Sequence, residues 1–248
     1  MGYYIVSGAG SGIGRAIARK ISSNGHNLII IGRNLNKLEE TIALLNKGNH
    51  LCFAADVADS TSLKTVINKL EGIELNGIIA NAGVGGENYW GADDRWNEIV
   101  NTNLTGTYNF VNTFLPNLKT GIETKHIIIT SSVLARLGVA NYSAYCASKA
   151  GLLGLMRSWA VQYAPTNILV NAICPGWVDT DMANQGLQGI ADNIGITKQE
   201  FYNIAMKSVP LARMSKPEEI ADLVDYLLNQ NSITGQTIDI NCGSIMNS

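Results

Sequence analysis

Short runs of apolar residues alternate along the chain with longer segments in which apolar residues recur at helical spacing, up to about residue 175. This pattern predicts strand–helix–strand units around a parallel sheet. The runs 28–31 and 127–129 are apolar without alternation, as expected for strands covered by helices on both faces. We therefore predict an α/β fold with a doubly wound, seven-stranded parallel sheet. Its predicted strands are Tyr3–Ser7, Asn27–Gly32, His50–Ala54, Gly77–Ala80, His126–Ser131, Leu169–Ile173 and Gln236–Ile240.

The pattern predicts one domain that spans residues 1–248. Its first helix is expected from Gly12 to Gly25, directly after the first strand. Only the segment 181–209 breaks the alternation, being long and rich in Asn, Gln and Gly. Its apolar positions suit one or two short helices, which we expect to close over a substrate as a lid that expels water.

The charge of the chain excludes two classes of partner. The 18 Lys and Arg residues are balanced by 20 Asp and Glu residues, giving a net charge of −2. No run of Lys or Arg would neutralise a nucleic-acid backbone or an anionic bilayer, so neither is expected as a partner. No apolar stretch reaches the ~18 residues that a membrane span needs, and the chain opens directly on a strand-like run. We therefore expect a cytoplasmic protein.

The four cysteines, Cys52, Cys146, Cys174 and Cys242, are far apart and show no paired spacing. This distribution predicts reduced thiols buried in the core rather than a disulfide framework or a zinc site. The three histidines are not spaced with a second ligand, so we predict no metal.

A glycine-rich segment, Ser7–Gly14, joins the first predicted strand to the first helix. Its spacing differs from the G-x-G-x-x-G fingerprint, but it lies at the junction where doubly wound sheets bind nucleotides. Missing side chains let the backbone approach a pyrophosphate, and the helix N-terminus supplies N–H donors. We predict dinucleotide binding here; the alternative is a structural turn without a ligand. The predicted contact residues are Gly8, Ser11, Gly12, Ile13 and Gly14.

The residues after the second strand bear on which dinucleotide is bound. An acidic residue there would bond the ribose hydroxyls of NAD, whereas this chain has Arg33 and Asn34. The planar guanidinium of Arg33 suits a 2′-phosphate, so NADP(H) is favoured over NAD(H); the alternative is a solvated loop charge. Further residues that follow strands at the same edge either contact the cofactor or stabilise the sheet: Asp56, Val57, Asn81, Ala82 and Gly83.

Tyr145 and Lys149 are four residues apart and share one face of a predicted helix. An ammonium beside a phenol favours the phenolate, so Lys149 is expected to lower the pKa of Tyr145 from ~10 towards neutrality. Tyr142 is the competing tyrosine, but a cysteine, Cys146, stands four residues after it. The acid or base is therefore predicted to be Tyr145.

Several motifs accompany this pair in a specific order: Ser7–Gly14, Asn81-Ala82-Gly83, Asn103, Ser132, Tyr145–Lys149, and Pro175-Gly176 followed by Thr180. In these motifs the sequence resembles the short-chain dehydrogenase/reductase family over nearly its whole length. Within that family it is most similar to 3-oxoacyl-(acyl-carrier-protein) reductases and polyketide ketoreductases. The resemblance implies a Rossmann-type fold, an NAD(P)-dependent reaction between an alcohol and a carbonyl, and assembly into homodimers or homotetramers.

The resemblance also implies a role for each matching residue. Tyr145 would be the general acid/base, Lys149 would bind the nicotinamide ribose, Ser132 would polarise the substrate carbonyl, and Asn103 would help hold a proton relay. These roles fit the chemistry, because the charge that a hydride leaves on a carbonyl oxygen must be neutralised by a proton and a hydrogen bond. The implied cofactor contacts include Tyr145, Lys149, Pro175, Gly176, Val178 and Thr180.

Some positions depart from the family pattern. Ser7 replaces the usual Thr, which keeps a hydroxyl, and Asn241-Cys242-Gly243 replaces an acidic-Gly-Gly ending. Ser11 stands where many NADP-dependent members have a basic residue, which weakens the argument for NADP(H) from Arg33.

The regions that shape the substrate pocket in this family are apolar here: Val133, Leu134, Tyr142, Trp177 and Met182. A hydrophobic ketone, free or as an acyl chain on a carrier protein, therefore fits better than a sugar. The long lid also resembles that of 3-hydroxybutyrate dehydrogenases, so NAD-dependent oxidation of a small hydroxy acid is an alternative. An alternative of another class is a protein that senses the dinucleotide without turnover, but such a protein has no use for a proton donor.

Overall fold

The computed structural model describes residues 2–118, 121 and 123–246; the predicted domain also includes the few positions outside these ranges. The strands are β1 Tyr3–Ser7, β2 Asn27–Gly32, β3 Leu51–Ala54, β4 Leu75–Ala80, β5 Lys125–Thr130, β6 Ile168–Pro175 and β7 Thr237–Ile240. The α-helices are α1 Gly12–Ser23, α2 Leu35–Ala43, α3 Ser60–Ile67, α4 Trp96–Val100, α5 Gly106–Phe114, α6 Ser143–Tyr163, α7 Asp181–Ile194, α8 Lys198–Lys207 and α9 Pro217–Leu228. A π-helical turn, Asn101–Thr105, joins α4 to α5.

The strands form one sheet in the order β3-β2-β1-β4-β5-β6-β7. Every neighbouring pair is parallel. The chain builds the sheet outward from β1 to β3 and then crosses back to place β4 on the other side of β1. This reversal opens a crevice at the carboxyl ends of β1 and β4, where sheets of this kind bind ligands.

Helices cover both faces of the sheet, which confirms the predicted doubly wound α/β fold. Alternate residues of a strand point to opposite faces. Ile5 packs with buried residues of α3, α5 and α6, whereas its neighbour Val6 packs with those of α1 and α9. Because both faces are covered, β1, β2 and β5 read as continuous apolar runs.

The predicted strands are confirmed, each within two residues of its expected bounds. The largest difference lies at β6, which continues past the expected end at Ile173. Cys174 and Pro175 extend it because they pair with Asp239 and Ile240 of β7. A proline is tolerated at this position because it ends the strand.

The segment 181–209 forms two helices, α7 and α8, as its apolar spacing predicts. The two helices share a small hydrophobic cluster of Leu187, Met206, Val209 and Met214, separate from the two clusters of the main sheet. The side chain of Thr180 accepts a hydrogen bond from Ala183 N and so caps α7. Having its own small core, this pair of helices packs as a unit on the carboxyl edge of the sheet.

The cysteines are free, but the expectation that they are buried holds only for Cys174. Cys52, Cys146 and Cys242 are half-buried. Cys242 also adopts a left-handed backbone conformation with φ +54°, which a cysteine rarely takes. These three cysteines have apolar neighbours in the sequence because they lie next to core positions, but they are not themselves in the core.

His126, in β5, makes the folding stability depend on pH. It is 4% exposed, and its Nδ1 has no hydrogen-bond partner among the described residues. Burial, followed by the nearby Lys125, lowers the pKa of His126 to about 4. The unfolded chain, with a histidine pKa of ~6.5, binds the proton more readily, so acid favours unfolding.

We expect His126 to have no effect on how the free energy of unfolding varies above pH 6.5. As the pH falls from about 6.5 to about 4, the free energy of unfolding should drop by up to about 3 kcal/mol. Urea titrations at several pH values measure this slope. His126→Asn should flatten it, and an unchanged slope in that variant would contradict the assignment.

Candidate active site

The carboxyl ends of β1 and β4 are tied together by hydrogen bonds. Ser7 Oγ accepts from Asn81 N and from Ala82 N, both at 3.0 Å. Asn81 Nδ2 donates to Ser7 O at 3.2 Å. Asn81 was predicted either to contact the cofactor or to stabilise the sheet, and its side chain does the second. The hydroxyl that Ser7 keeps in place of threonine accepts the two bonds from the backbone of Asn81 and Ala82.

The glycines of the Ser7–Gly14 segment pack without room for side chains. A Cβ at Gly8, where φ is +67°, would lie 2.8 Å from Ala82 Cα, and one at Gly14 would lie 2.3 Å from Gly8 O. A Cβ at Gly12 would lie 3.0 Å from Thr180 Cγ2. The segment therefore forms a close turn that touches both the Asn81–Gly83 segment and the start of α7.

This turn ends at the N-terminus of α1, where Ser11 is the N-cap and Ile13 lies in the first turn. The Ser11 side chain makes no capping hydrogen bond. The first N–H groups of α1 therefore point to the crevice as donors, together with the positive end of the helix dipole. A bare backbone turn followed by such a helix end fits the pyrophosphate of a dinucleotide.

The residues after β2 and β3 lie at the same edge. Arg33 is exposed, and its charge, after that of Arg95, helps to lower the pKa of the Glu98 carboxyl. Asn34 Oδ1 accepts from Lys37 N at 3.1 Å and caps α2, and Asp56 Oδ1 accepts from Ala58 N at 2.9 Å. The side chains of Asn34 and Asp56 thus stabilise local turns. Val57 is buried, and its Cγ2 lies 2.7 Å from where a Cβ at Gly106 would be.

The structure brings Tyr145, Ser132 and Lys149 together beside this crevice. Ser132 lies next to Tyr145, close enough for its side chain to lower the pKa of the phenol. Ser132 Oγ also accepts from Leu134 N at 3.2 Å, so its own O–H remains available to donate to the phenol oxygen. Lys149 Nζ lies 5.6 Å from the centroid of the Tyr145 ring and donates to Thr130 O at 3.0 Å.

The pKa values of this cluster differ from the sequence-based expectation. The pKa of Tyr145 is raised, because burial outweighs the effect of the Ser132 side chain, which lowers it. Burial also lowers the pKa of Lys149 to about 8. The prediction that Lys149 lowers the pKa of Tyr145 is therefore wrong for the chain by itself: its Nζ is held by a backbone carbonyl. Tyr145 is instead kept protonated near neutral pH.

Asn103 is fully buried in the π-helical turn, and its side chain stabilises the site through hydrogen bonds. Its Oδ1 accepts from Val84 N at 2.8 Å, and its Nδ2 donates to Val84 O at 3.0 Å and to Ser148 Oγ at 3.2 Å. A Cβ at Gly83 would lie 3.1 Å from Asn103 Oδ1 and 3.4 Å from Lys149 Nζ. Gly83 therefore lets the amide of Asn103 and the ammonium of Lys149 approach each other.

Of the predicted pocket residues, Met182 borders Gly85 together with Tyr145. A Cβ at Gly85 would be 3.4 Å from Met182 Sδ and 3.9 Å from Tyr145 Cε2. Tyr142 is half-buried at the N-cap of α6. Trp177 instead packs against the cluster of α7 and α8. Val133 and Leu134 form the short turn after Ser132, with Val133 buried and Leu134 half-buried.

The remaining predicted cofactor residues follow β6. Gly176 packs against Asn241, whose Cα would lie 3.0 Å from a Cβ at position 176. Val178 is buried and bridges to Ser215, and Thr180 touches Gly12. Together with Pro175 they lead the chain from the sheet edge to the lid helices.

Several structurally important residues escape sequence reasoning. Thr130 supplies the carbonyl that holds Lys149, and Ser131 Oγ donates to Lys149 O at 2.9 Å. Ser148 receives the amide of Asn103. Asn88 accepts hydrogen bonds at the start of α6. Of these residues, only Thr130 and Ser131 could have been predicted from the sequence, because they lie at the end of β5 and next to Ser132.

Within the described ranges, no group of three or more His, Cys, Asp or Glu side chains is arranged to hold a metal ion. In the same part of the chain, no helix is both long and apolar enough to span a bilayer.

Comparison with known proteins identifies the family of the chain. A model of the short chain dehydrogenase family matches residues 3–190. The chain is 32% identical to a monensin polyketide synthase putative ketoacyl reductase of Streptomyces virginiae, over 98% of this chain and 96% of the relative. It is 29% identical to the 3-oxoacyl-(acyl-carrier-protein) reductase FabG of Aquifex aeolicus, over 96% of this chain and 95% of the relative.

Among solved structures, an actinorhodin polyketide ketoreductase with NADPH superimposes with a TM-score of 0.90 at 28% identity. The superposition covers 98% of this chain and 97% of that one. Fold and sequence similarity therefore agree over nearly the whole length. The chain belongs to the short-chain dehydrogenase/reductase family of NAD(P)-dependent oxidoreductases, among relatives of the ketoacyl reductases.

Proposed function

We propose that this protein reduces a ketone to a secondary alcohol with NADP(H), and that Tyr145 donates the proton. The preferred substrate is a 3-oxoacyl thioester or a similar hydrophobic carbonyl compound. The observation that carries the proposal is the cluster of Tyr145, Ser132 and Lys149 beside the bare glycine turn. Loss of NADPH absorbance in the presence of acetoacetyl thioesters, diketones or cyclic ketones tests it.

The residues of the crevice fit a nicotinamide dinucleotide. Gly8, Gly12 and Gly14 leave the backbone bare, and the N-terminus of α1 offers N–H donors for the pyrophosphate. Thr180 borders the same turn. When bound, this cofactor supplies the hydride for the carbonyl carbon.

The side chains of the chain supply the proton and the hydrogen bonds. Tyr145 gives its phenolic proton to the carbonyl oxygen, while the Ser132 hydroxyl donates a hydrogen bond as negative charge develops there. The ammonium of Lys149, whose pKa is about 8, is mostly protonated at neutral pH. In this proposal it binds the ribose of the nicotinamide, next to the Tyr145 ring.

The substrate class follows from what surrounds Tyr145. Met182, Val133 and Leu134 are apolar, which suits a hydrophobic ketone. A small hydroxy acid would need a cation for its carboxylate, but the arginines of the neighbouring loops are engaged: Arg95 pairs with Glu98, and Arg136 pairs with Asp239. The similarity to ketoacyl reductases points the same way. The acyl chain is presented free or on a carrier protein.

The choice of NADP(H) depends on Arg33, which is exposed beside the glycine turn and able to bind a 2′-phosphate. We expect Arg33→Ala to weaken NADPH binding roughly 10- to 100-fold, because a hydrogen bond to a charged group contributes about 1.5–3 kcal/mol. NADH binding should be unchanged. Fluorescence titrations with each dinucleotide measure both constants.

Arg19→Ala is the matched control, because Arg19 is an exposed arginine in the C-terminal half of α1, beyond the turn that begins the helix. It removes the same charge and should affect neither dinucleotide. Equal weakening of NADPH and NADH in Arg33→Ala, or tighter NADH than NADPH binding in the wild type, would refute the role of Arg33.

We further propose assembly into a homodimer or homotetramer through α5 and α6. A shallow apolar cavity of about 450 Å³ lies there, lined by Leu104, Tyr108, Gly151 and Leu155 among others. Small residues on this face allow a second pair of helices to approach closely. A cytoplasmic location stays a prediction of the sequence.

A further inference from the structure

Asn88, a buried asparagine outside the predicted site, contacts the helix that carries Tyr145. It lies in the loop between β4 and α4 and is 8% exposed. Its Oδ1 accepts hydrogen bonds from Ala144 N at 2.9 Å and from Ser143 Oγ at 3.1 Å. Ser143 and Ala144 are the first two residues of α6, and Tyr145 follows them directly.

The N-terminus of α6 depends on this contact. Tyr142 occupies the N-cap position, but its side chain makes no capping hydrogen bond. The first N–H groups of a helix need acceptors from outside the helix. Asn88, which precedes Ala144 by 56 positions, supplies one. The turn that holds Tyr145 is therefore fixed by a side chain from another loop.

The amide of Asn88 also connects to the second helix of the site. Its Nδ2 donates to Asp94 Oδ1 at 3.2 Å, and that oxygen accepts from Trp96 N, at the start of α4, at 3.0 Å. Helix α4 leads into the π-helical turn with Asn103, which bonds to Ser148 of α6. The two helices are thus joined at their N-terminal ends and again near the catalytic cluster.

We propose that Asn88, together with Asp94, is a positioning residue that holds the Tyr145 hydroxyl against Ser132. This inference rests on the proposed function, in which Tyr145 transfers the proton. The hydroxyl lies at the far end of a long side chain, so a small tilt of the first turn of α6 displaces it. Proton transfer requires donor and acceptor within hydrogen-bond distance, so such a displacement slows the reaction.

The loop itself is anchored independently of the Asn88 side chain, because Asn88 N donates to Asn141 O at 2.8 Å. Asn88→Ala therefore removes the cap of α6 and the link to Asp94 while the loop keeps its backbone anchor. We expect kcat for ketone reduction to fall roughly tenfold to a hundredfold. The affinity for NADPH should not change, since the side chain bonds to α4 and α6 and not to the glycine turn.

The pH profile provides a readout that lost stability alone would not move. The nearby side chain of Ser132 lowers the pKa of Tyr145. If the first turn of α6 is loosened, Tyr145 moves relative to Ser132 and this effect weakens, so the pH midpoint of the reverse reaction, alcohol oxidation, should move upward in Asn88→Ala.

A charge swap tests the geometry without removing side-chain volume. Asn88→Asp alone sets two carboxylates against each other and should lower kcat as Asn88→Ala does. Adding Asp94→Asn removes the repulsion between the two carboxylates, and the new carboxylate still accepts from α6. Because one Asp94 oxygen accepts from both Asn88 and Trp96 N, the amide cannot replace both bonds, and the double variant should recover only part of the kcat that Asn88→Asp loses.

Asp59→Ala is the control, since Asp59 caps α3 in the same manner by accepting from Thr61 N at 2.9 Å. It should lower stability without lowering kcat. The proposal is overturned if Asn88→Ala and Asp59→Ala have the same kcat, or if the double variant is as slow as Asn88→Asp. Wild-type turnover in Tyr145→Phe would instead overturn the proposed function.

Discussion

Tyr145→Phe should lower kcat for ketone reduction by about three orders of magnitude, within the usual range for loss of a positioned general acid. The substitution removes one oxygen atom and leaves the ring in place. The carbonyl oxygen then gains negative charge with no proton donor, and Ser132 alone supplies a hydrogen bond. NADPH binding should persist, because the glycine turn and α1 are untouched.

Stopped-flow measurement of NADPH consumption, with a parallel binding titration, separates the two effects. Tyr226→Phe is a matched control, because Tyr226 lies on the exposed face of α9, and the variant should behave as wild type. Full loss of turnover in Tyr142→Phe with an active Tyr145→Phe would reverse the choice between the two tyrosines. No measurable turnover in the wild type with any carbonyl substrate, alongside tight dinucleotide binding, would favour the sensing protein.

Gly14→Ala should weaken NADPH binding roughly 100-fold, equivalent to about 2.7 kcal/mol. The added Cβ would lie 2.3 Å from Gly8 O and 2.6 Å from Asn81 Nδ2. Neither neighbour can yield freely, because Gly8 belongs to the turn and the Asn81 amide is bonded to Ser7 O. The turn must therefore shift, and backbone donors aimed at the pyrophosphate lose their geometry, each contributing about 1.5–3 kcal/mol.

Isothermal titration of NADPH into the variant measures this loss. Gly189→Ala is the comparison, because a Cβ at that helical position meets no atom within 4 Å. It should leave the dinucleotide affinity unchanged and stabilise α7 by up to about 1 kcal/mol. Similar affinities in Gly14→Ala and wild type would show that the turn does not bind the pyrophosphate.

The strands were predictable because burial on both sheet faces leaves a direct signature in the sequence. Leu28–Ile31 and Ile127–Ile129 are apolar throughout, and each forms the centre of a strand. Boundaries were less predictable where distant residues set them. His50 was expected to open β3, but its Nδ1 accepts from Leu28 N and its ring contacts Asn46 O, so the strand starts one residue later.

The candidate site was predictable in its members but not in its electrostatics. The spacing of Tyr145 and Lys149 correctly placed both on one helix face. It showed neither the burial that raises the pKa of Tyr145 nor the Thr130 carbonyl that holds Lys149. The role of Asn88 left no trace either, because a helix cap from a residue 56 positions away follows no local rule.

The π-helical turn Asn101–Thr105 is equivalent to an ordinary helix with one residue inserted. Deleting a residue there would regularise the helix and rotate its two halves by about 100° relative to each other. Asn103 would then swing away from Val84, and the brace behind Lys149 would be lost. Point substitutions on the outer surface of this turn are compatible with the fold, whereas a single-codon deletion is not compatible with an intact site. The length of this stretch, as much as its residues, is thus a requirement for the reaction.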